Sequence, residues 1–130
     1  MTRNFTMEEL LRSSFALKKK LSNTPNDKQL QNMRVSVLAL EYLRAYFGNV
    51  PIVVTSGFRS PELNKAIGGS PTSSHIDGQA YDIVIMNNLS MKENALSIIR
   101  SDINFDQIIV YKSFIHLGLG PKKRRQLISR

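Results

Sequence analysis

An aspartate stands inside an apolar run, AYDIVIM, residues 80–86. A short run rich in branched side chains, led by a glycine-containing loop, reads as a strand, and in a strand alternate residues share a face. Asp82 then points with Val84 and Met86, while Ile83 and Ile85 point the other way. A carboxylate among apolar neighbours is costly unless it is paired or bound to a cation. Any fold open to this chain therefore has to deliver partners to Asp82. The only two histidines are placed to do so: His75 lies just upstream in SSHIDGQAYD, and His116 sits in a second apolar run, SFIHLGLG. In that second strand His116 shares a face with Phe114 and Gly118, against Ile115, Leu117 and Leu119.

The rest of the chain supplies the frame. Thr6 followed by Glu9 is a capping box and predicts a helix from about Met7 to Leu21, broken by SNTPND. Leu30, Met33, Val37, Leu40 and Phe47 mark one face of a long second helix that stops at Gly48. VPIVVT (50–55) reads as a short strand, and Ser60-Pro61 opens a short helix ended by Gly68-Gly69. Ser90 and Glu93 form a second capping box for a helix to about Arg100. DQIIVY and SFIHLGL read as two strands joined by a tight turn around Lys112 and Ser113. Helices first and strands later predict an α+β fold, a small antiparallel sheet with N-terminal helices. At 130 residues with no linker or repeat, 1–130 is expected as a single domain and a monomer, with a basic tail at about 121–130.

Composition narrows the chemistry. Apolar residues make up 42% of the chain, enough for a packed core. With no cysteine there is no disulfide frame, no thiolate nucleophile and no cysteine zinc finger. Two histidines and one carboxylate form a catalytic zinc set whose fourth position is left for water. A lone histidine is more often a satisfied core residue; three such residues, each isolated in an apolar setting, argue for a site. The His75–Asp82 spacing suits a ligand pair on a loop and the strand after it, with Gly78 and Ala80 allowing a close bend. The net charge of +8 favours polyanionic partners, although PKKRRQLISR also reads as a solvated tail. No nucleic-acid reading element accompanies it, so nucleic acid is not the expected partner. No apolar stretch has the length of a membrane span, and MTRNFTMEELLRSS lacks the layout of a signal peptide.

SSHIDGQAYD fits Ser-x-His-x-x-Gly-x-Ala-x-Asp through Ser73, His75, Gly78, Ala80 and Asp82. It resembles the zinc signature of the M15 peptidases, the D-alanyl-D-alanine carboxypeptidase and endolysin group related in fold to the hedgehog signalling domain. NFTMEEL, TSGFRSPELN and FDQIIVYKSFIHLGLGPKKRRQ agree in order, so the resemblance spans nearly the whole chain. It implies a hedgehog/DD-peptidase-like fold and one Zn²⁺ held by His75, Asp82 and His116. It also implies Arg59 beside the substrate, a D-alanine-containing peptide of peptidoglycan, where a guanidinium holds a carboxylate or polarises the carbonyl under attack. Ser73 either contacts substrate or orients its loop. Many family members carry an acidic base three positions before the last zinc-binding histidine, where this chain has Ser113. The base is then Asp106, the preferred substitute, or Asp77, unless zinc acts alone or the protein binds cell wall without cutting it. The resemblance further implies synthesis in the cytoplasm and action on the wall after release, as in phage or prophage lytic proteins, with the basic tail meeting anionic wall polymers.

Overall fold

Capping side chains set the start of each helix in the computed structural model, which describes residues 1–130. Thr6 accepts from the Glu9 amide and starts α1 (Met7–Leu11). One helix to Leu21 was expected, but the chain turns extended at Arg12 and Ser13, and Ser13 caps a separate helix, α2 (Ser14–Lys19). The Ser13 hydroxyl accepts from the Ala16 amide, so the side chain offers the backbone an alternative to continuing the helix. A reciprocal box of Asn26 and Gln29 opens α3 (Asp27–Tyr46), which buries Met33, Val37, Leu40 and Leu43. Then follow β1 (Ile52–Ser56), α4 (Pro61–Ala66) capped by Ser60, β2 (Ala80–Ile85) and α5 (Met91–Arg100), capped by Ser90 and Glu93. The chain closes with β3 (Gln107–Val110), β4 (Ile115–Gly118) and β5 (Gln126–Ser129).

The strands form one sheet in the order β1-β2-β4-β3-β5. The first four pair antiparallel, as the α+β reading expects; β5 pairs parallel to β3. The basic segment read as a tail is therefore in part a strand. Its Leu127 and Ile128 sit opposite Ile108 and Ile109, and pairing there satisfies backbone groups along the edge of β3.

One face of the sheet is core. Ile83, Ile85, Ile108, Ile115 and Leu117 pack there with α3, Phe5, Leu10 and Phe105. Burial of a side chain of this kind contributes about 1.5–3 kcal/mol, so this face anchors the sheet and leaves the other for chemistry. On that other face the register lines up Ser56, Asp82, His116 and Ile109 across four strands. A bulge between Val54 and Ser56 brings Ser56 opposite Asp82. No helix is long and apolar enough to cross a membrane.

Candidate active site

Register alone places two of the three metal-competent residues, because Asp82 on β2 is the direct partner of His116 on β4. His116 Nδ1 lies 3.0 Å from Asp82 Oδ1. The third residue arrives from the loop before β2. His75 is buried, with Nδ1 2.7 Å from the Gly57 carbonyl and Nε2 3.2 Å from the same Asp82 oxygen. A carbonyl only accepts, so the partner chemistry assigns the proton to Nδ1 and leaves the Nε2 lone pair facing the carboxylate. A bare nitrogen and a carboxylate oxygen repel unless a proton or a cation lies between them. The ligand atoms of His75, Asp82 and His116 all fall within 4.8 Å of one another. Two imidazoles and one carboxylate arranged this way fit a zinc ion.

The loop holding His75 is fixed from two sides. The Arg59 amide donates to the His75 carbonyl (3.1 Å) while the His75 ring donates to Gly57, so the 57–59 turn and the loop clasp each other. Gly57 itself presses on the Leu10 carbonyl, where a Cβ would collide. At the far end Gly78 adopts φ +72°, and a Cβ there would stand 2.7 Å from Gln29 O and Met33 Cγ. Ser36 of α3 donates to the Gly78 carbonyl (2.8 Å) and receives the Tyr81 hydroxyl (2.6 Å). Burial pushes the Tyr81 phenol up to about 12, against the opposing pull of Ser36.

Arg59 joins the centre. Its Nη2 donates to Asp82 Oδ2 (3.4 Å), Nε to Ser56 Oγ (3.2 Å) and Nη1 to Asn64 Oδ1 (3.3 Å). Asp82 thus offers Oδ1 to the two imidazoles and Oδ2 to the guanidinium. Burial acts to raise the Asp82 carboxyl, but the two imidazoles of His116 and His75 outweigh it and hold the group below the usual carboxylate range. Burial also pulls the Arg59 pKa down, with the Asp82 charge opposing. An arginine starts so high that it stays a cation.

Arg59, His75, Asp82 and His116 line a cleft of about 630 Å³. Ser73 borders it and also accepts from the His75 amide (3.2 Å), so it stabilises the loop turn while facing the open space. Asp106 borders the cleft as well, but it does not stand free as a base. Its Oδ1 accepts from the Arg124 amide (3.0 Å) and Nε (2.8 Å), and Oδ2 accepts from Nη2 (3.0 Å). The Arg124 hydrogen bond holds the Asp106 carboxyl below its ordinary value, which disfavours proton uptake. Asp77 and Ser113 are exposed and lie outside the cleft lining. Arg124, Tyr111 and Phe114 line the cleft without having been singled out from sequence. The Tyr111–Phe114 pair, stacked at 4.5 Å, had only a hairpin spacing to announce it.

Fold and site together define an α+β domain with a two-histidine, one-aspartate centre suited to a zinc ion. The chain belongs to the peptidase M15 family, whose model matches residues 3–118. Over 52 residues it is 38% identical to the zinc D-Ala-D-Ala carboxypeptidase of Streptomyces albus G, a stretch that makes up 40% of this chain and 20% of that protein. The match therefore spans about a fifth of the length of this curated relative. Among solved structures it is similar to the Serratia marcescens L-Ala D-Glu endopeptidase ChiX at 20% identity and a TM-score of 0.43, covering 74% of this chain and 89% of that one.

Proposed function

We propose that this chain hydrolyses a peptide bond beside D-alanine in bacterial peptidoglycan stem peptides, with zinc held by His75, Asp82 and His116. The observation that carries the reading is the convergence of three ligand atoms within 4.8 Å, one of them aimed by the Gly57 carbonyl. When bound, zinc polarises a carbonyl and lowers the pKa of a water to about 7. The chain does the rest. Asp82 supplies fixed negative charge and is itself oriented by Arg59, and His75 is held in one tautomer. Arg59 presents a cation to the substrate carboxylate or to the oxygen on which charge develops. Ser73 supports the His75 loop and offers its hydroxyl to the peptide.

With Asp106 held by Arg124, its role in this reading is to position that arginine. A base contributes roughly 10²–10⁴ in rate, so turnover slower than that of a relative with a free carboxylate is expected. The same observation favours a second reading, a wall-binding module that keeps the metal and does not cut. Zinc-loaded protein incubated with purified wall fragments separates the two by mass spectrometry of newly formed amines. Release by the wild type that is lost in His116→Ala supports the peptidase. Wall pull-down with no release leaves the binding module. The finer reading is lytic, of phage or prophage origin, with action on the wall after release from the cytoplasm. The charge of +8, suited to anionic wall polymers, supports it, and clearing of intact bacteria by added protein is its test.

A further inference from the structure

The family match ends at Gly118, yet Arg124 and Arg130, which come after it, also line the cleft. The segment carrying them is firmly placed. The Leu119 amide donates to Gln79 O (2.7 Å), Lys123 Nζ to Leu119 O (3.0 Å) and the Gln126 amide to Asp106 O (3.0 Å). Arg125 donates to Ile103 O (2.9 Å) and lies over the Phe105 ring at 4.6 Å. Between them Arg124 is turned toward the cleft and gripped by Asp106, which is only 5% exposed. That grip takes Nε and Nη2, leaving Nη1 of a half-exposed guanidinium for a ligand.

A second donor opens on the same space. A Cβ at Gly120 would stand 3.4 Å from Ser74 Oγ and 3.8 Å from Asp106 Oδ2, so both atoms rim one point that the glycine leaves open. Ser74 lines the same cleft as its chain neighbour His75. The charge there is one-sided. Asp82 and Asp106 are the acids of the lining, and each already faces an arginine, while Arg130 adds a further cation.

We propose that Arg124 and Ser74 form a carboxylate subsite that selects peptides carrying an acidic side chain away from the scissile bond, with Asp106 as the residue that positions Arg124. This rests on the cleft being a peptide site. A buried carboxylate that takes one edge of a guanidinium holds its remaining N–H donors and its charge in one place, where two acceptor oxygens with negative charge are favoured over an amide that offers one acceptor and a competing donor.

The test uses the full zinc-loaded chain and synthetic D-alanyl-D-alanine peptides that differ only as glutamate or glutamine, with that residue placed one, two or three positions before the terminal pair. Calorimetric titration of the wild type is expected to favour glutamate at one placement by at least about tenfold, the scale of one hydrogen bond to a charged group. Arg124→Gln abolishes that preference and leaves the glutamine peptide's Kd unchanged. Gly120→Ala, whose new methyl meets only ordinary contacts, reduces the preference without unfolding the chain. Asp106→Asn shrinks the preference while binding of the glutamine peptide holds. Equal binding of both peptides by the wild type, or a preference that survives in Arg124→Gln and Gly120→Ala, overturns the subsite. A wild type that prefers the acidic peptide and cuts neither keeps the subsite and removes the peptidase reading. One that cuts both equally does the reverse, and one that binds neither removes both.

Discussion

Asp82 carries more of the site than any other residue, because each of its two oxygens has its own task. Oδ1 faces both imidazoles and Oδ2 faces Arg59. Asp82→Asn keeps the shape but replaces one oxygen with an amide and deletes the charge. Loss of an outer-shell partner alone typically weakens metal binding by 10–100-fold, so loss of a ligand charge is expected to cost ~100-fold or more in zinc affinity. Competition titration against a chromophoric chelator measures this, and an unchanged affinity places the metal elsewhere. The three candidate ligands could be read from sequence because each is a polar residue isolated in an apolar or glycine-bearing context, and for Asp82 and His116 the strand period also fixes the face. Arg59 came into view only through the family resemblance; the fold brings its guanidinium to Asp82. The partner of Asp106 was not legible. Arg124 lies 18 residues away in a run of four cations, and nothing local separates it from Lys122, Lys123 or Arg125.

At the level of elements, the active site depends on how the 72–79 loop docks on α3. Gly78 combines a left-handed backbone with a near collision against Gln29 and Met33, so Gly78→Ala meets both penalties at once. About 2–4 kcal/mol of destabilisation is expected from urea unfolding, with weaker zinc binding as His75 shifts. A cost below 0.5 kcal/mol would show that the loop is not held as described. Tyr81 seals the same junction through Ser36, and its pKa gives a pH signature. The native phenol titrates at about 12 and the unfolded one near 10, so the folded chain holds its proton longer. That contribution is complete below pH 10 and is lost as pH rises toward 12, roughly 2–3 kcal/mol in all. Melts across this range should show Tyr81→Phe losing less stability than the wild type; parallel curves would refute the assignment. Helix starts were legible at Thr6, Ser60 and Ser90, where a capping side chain stands just before the helix. The break at Ser13 escaped because serine in mid-helix and serine at a cap look alike without the fold. β5 escaped because QLIS is short and follows a charge run, and only the open edge of β3 makes a strand of it.

Over the whole molecule, the proposed ligands come from parts of the chain that lie far apart in sequence and meet only in the fold. Asp82 and His116 sit on the neighbouring strands β2 and β4, and His75 comes from the loop docked on α3. The unfolded chain has no such constellation, and with two histidines and no cysteine it offers zinc little to hold. Binding is therefore confined to the native state, where it stabilises by RT ln(1 + [Zn]/Kd), about 2.7 kcal/mol at a hundred times Kd. Unfolding entropy of about 2.1 cal/mol/K per residue over this chain converts that to a rise in Tm of roughly 10 °C. Calorimetry of chelator-stripped protein, alone and with zinc at that excess, measures the rise. Asp82→Asn and His116→Ala should lose most of it while keeping a cooperative melt, since both residues sit on the sheet face away from the core. A full rise that persists in His116→Ala would mean that zinc binds somewhere other than the centre formed by β2, β4 and the His75 loop.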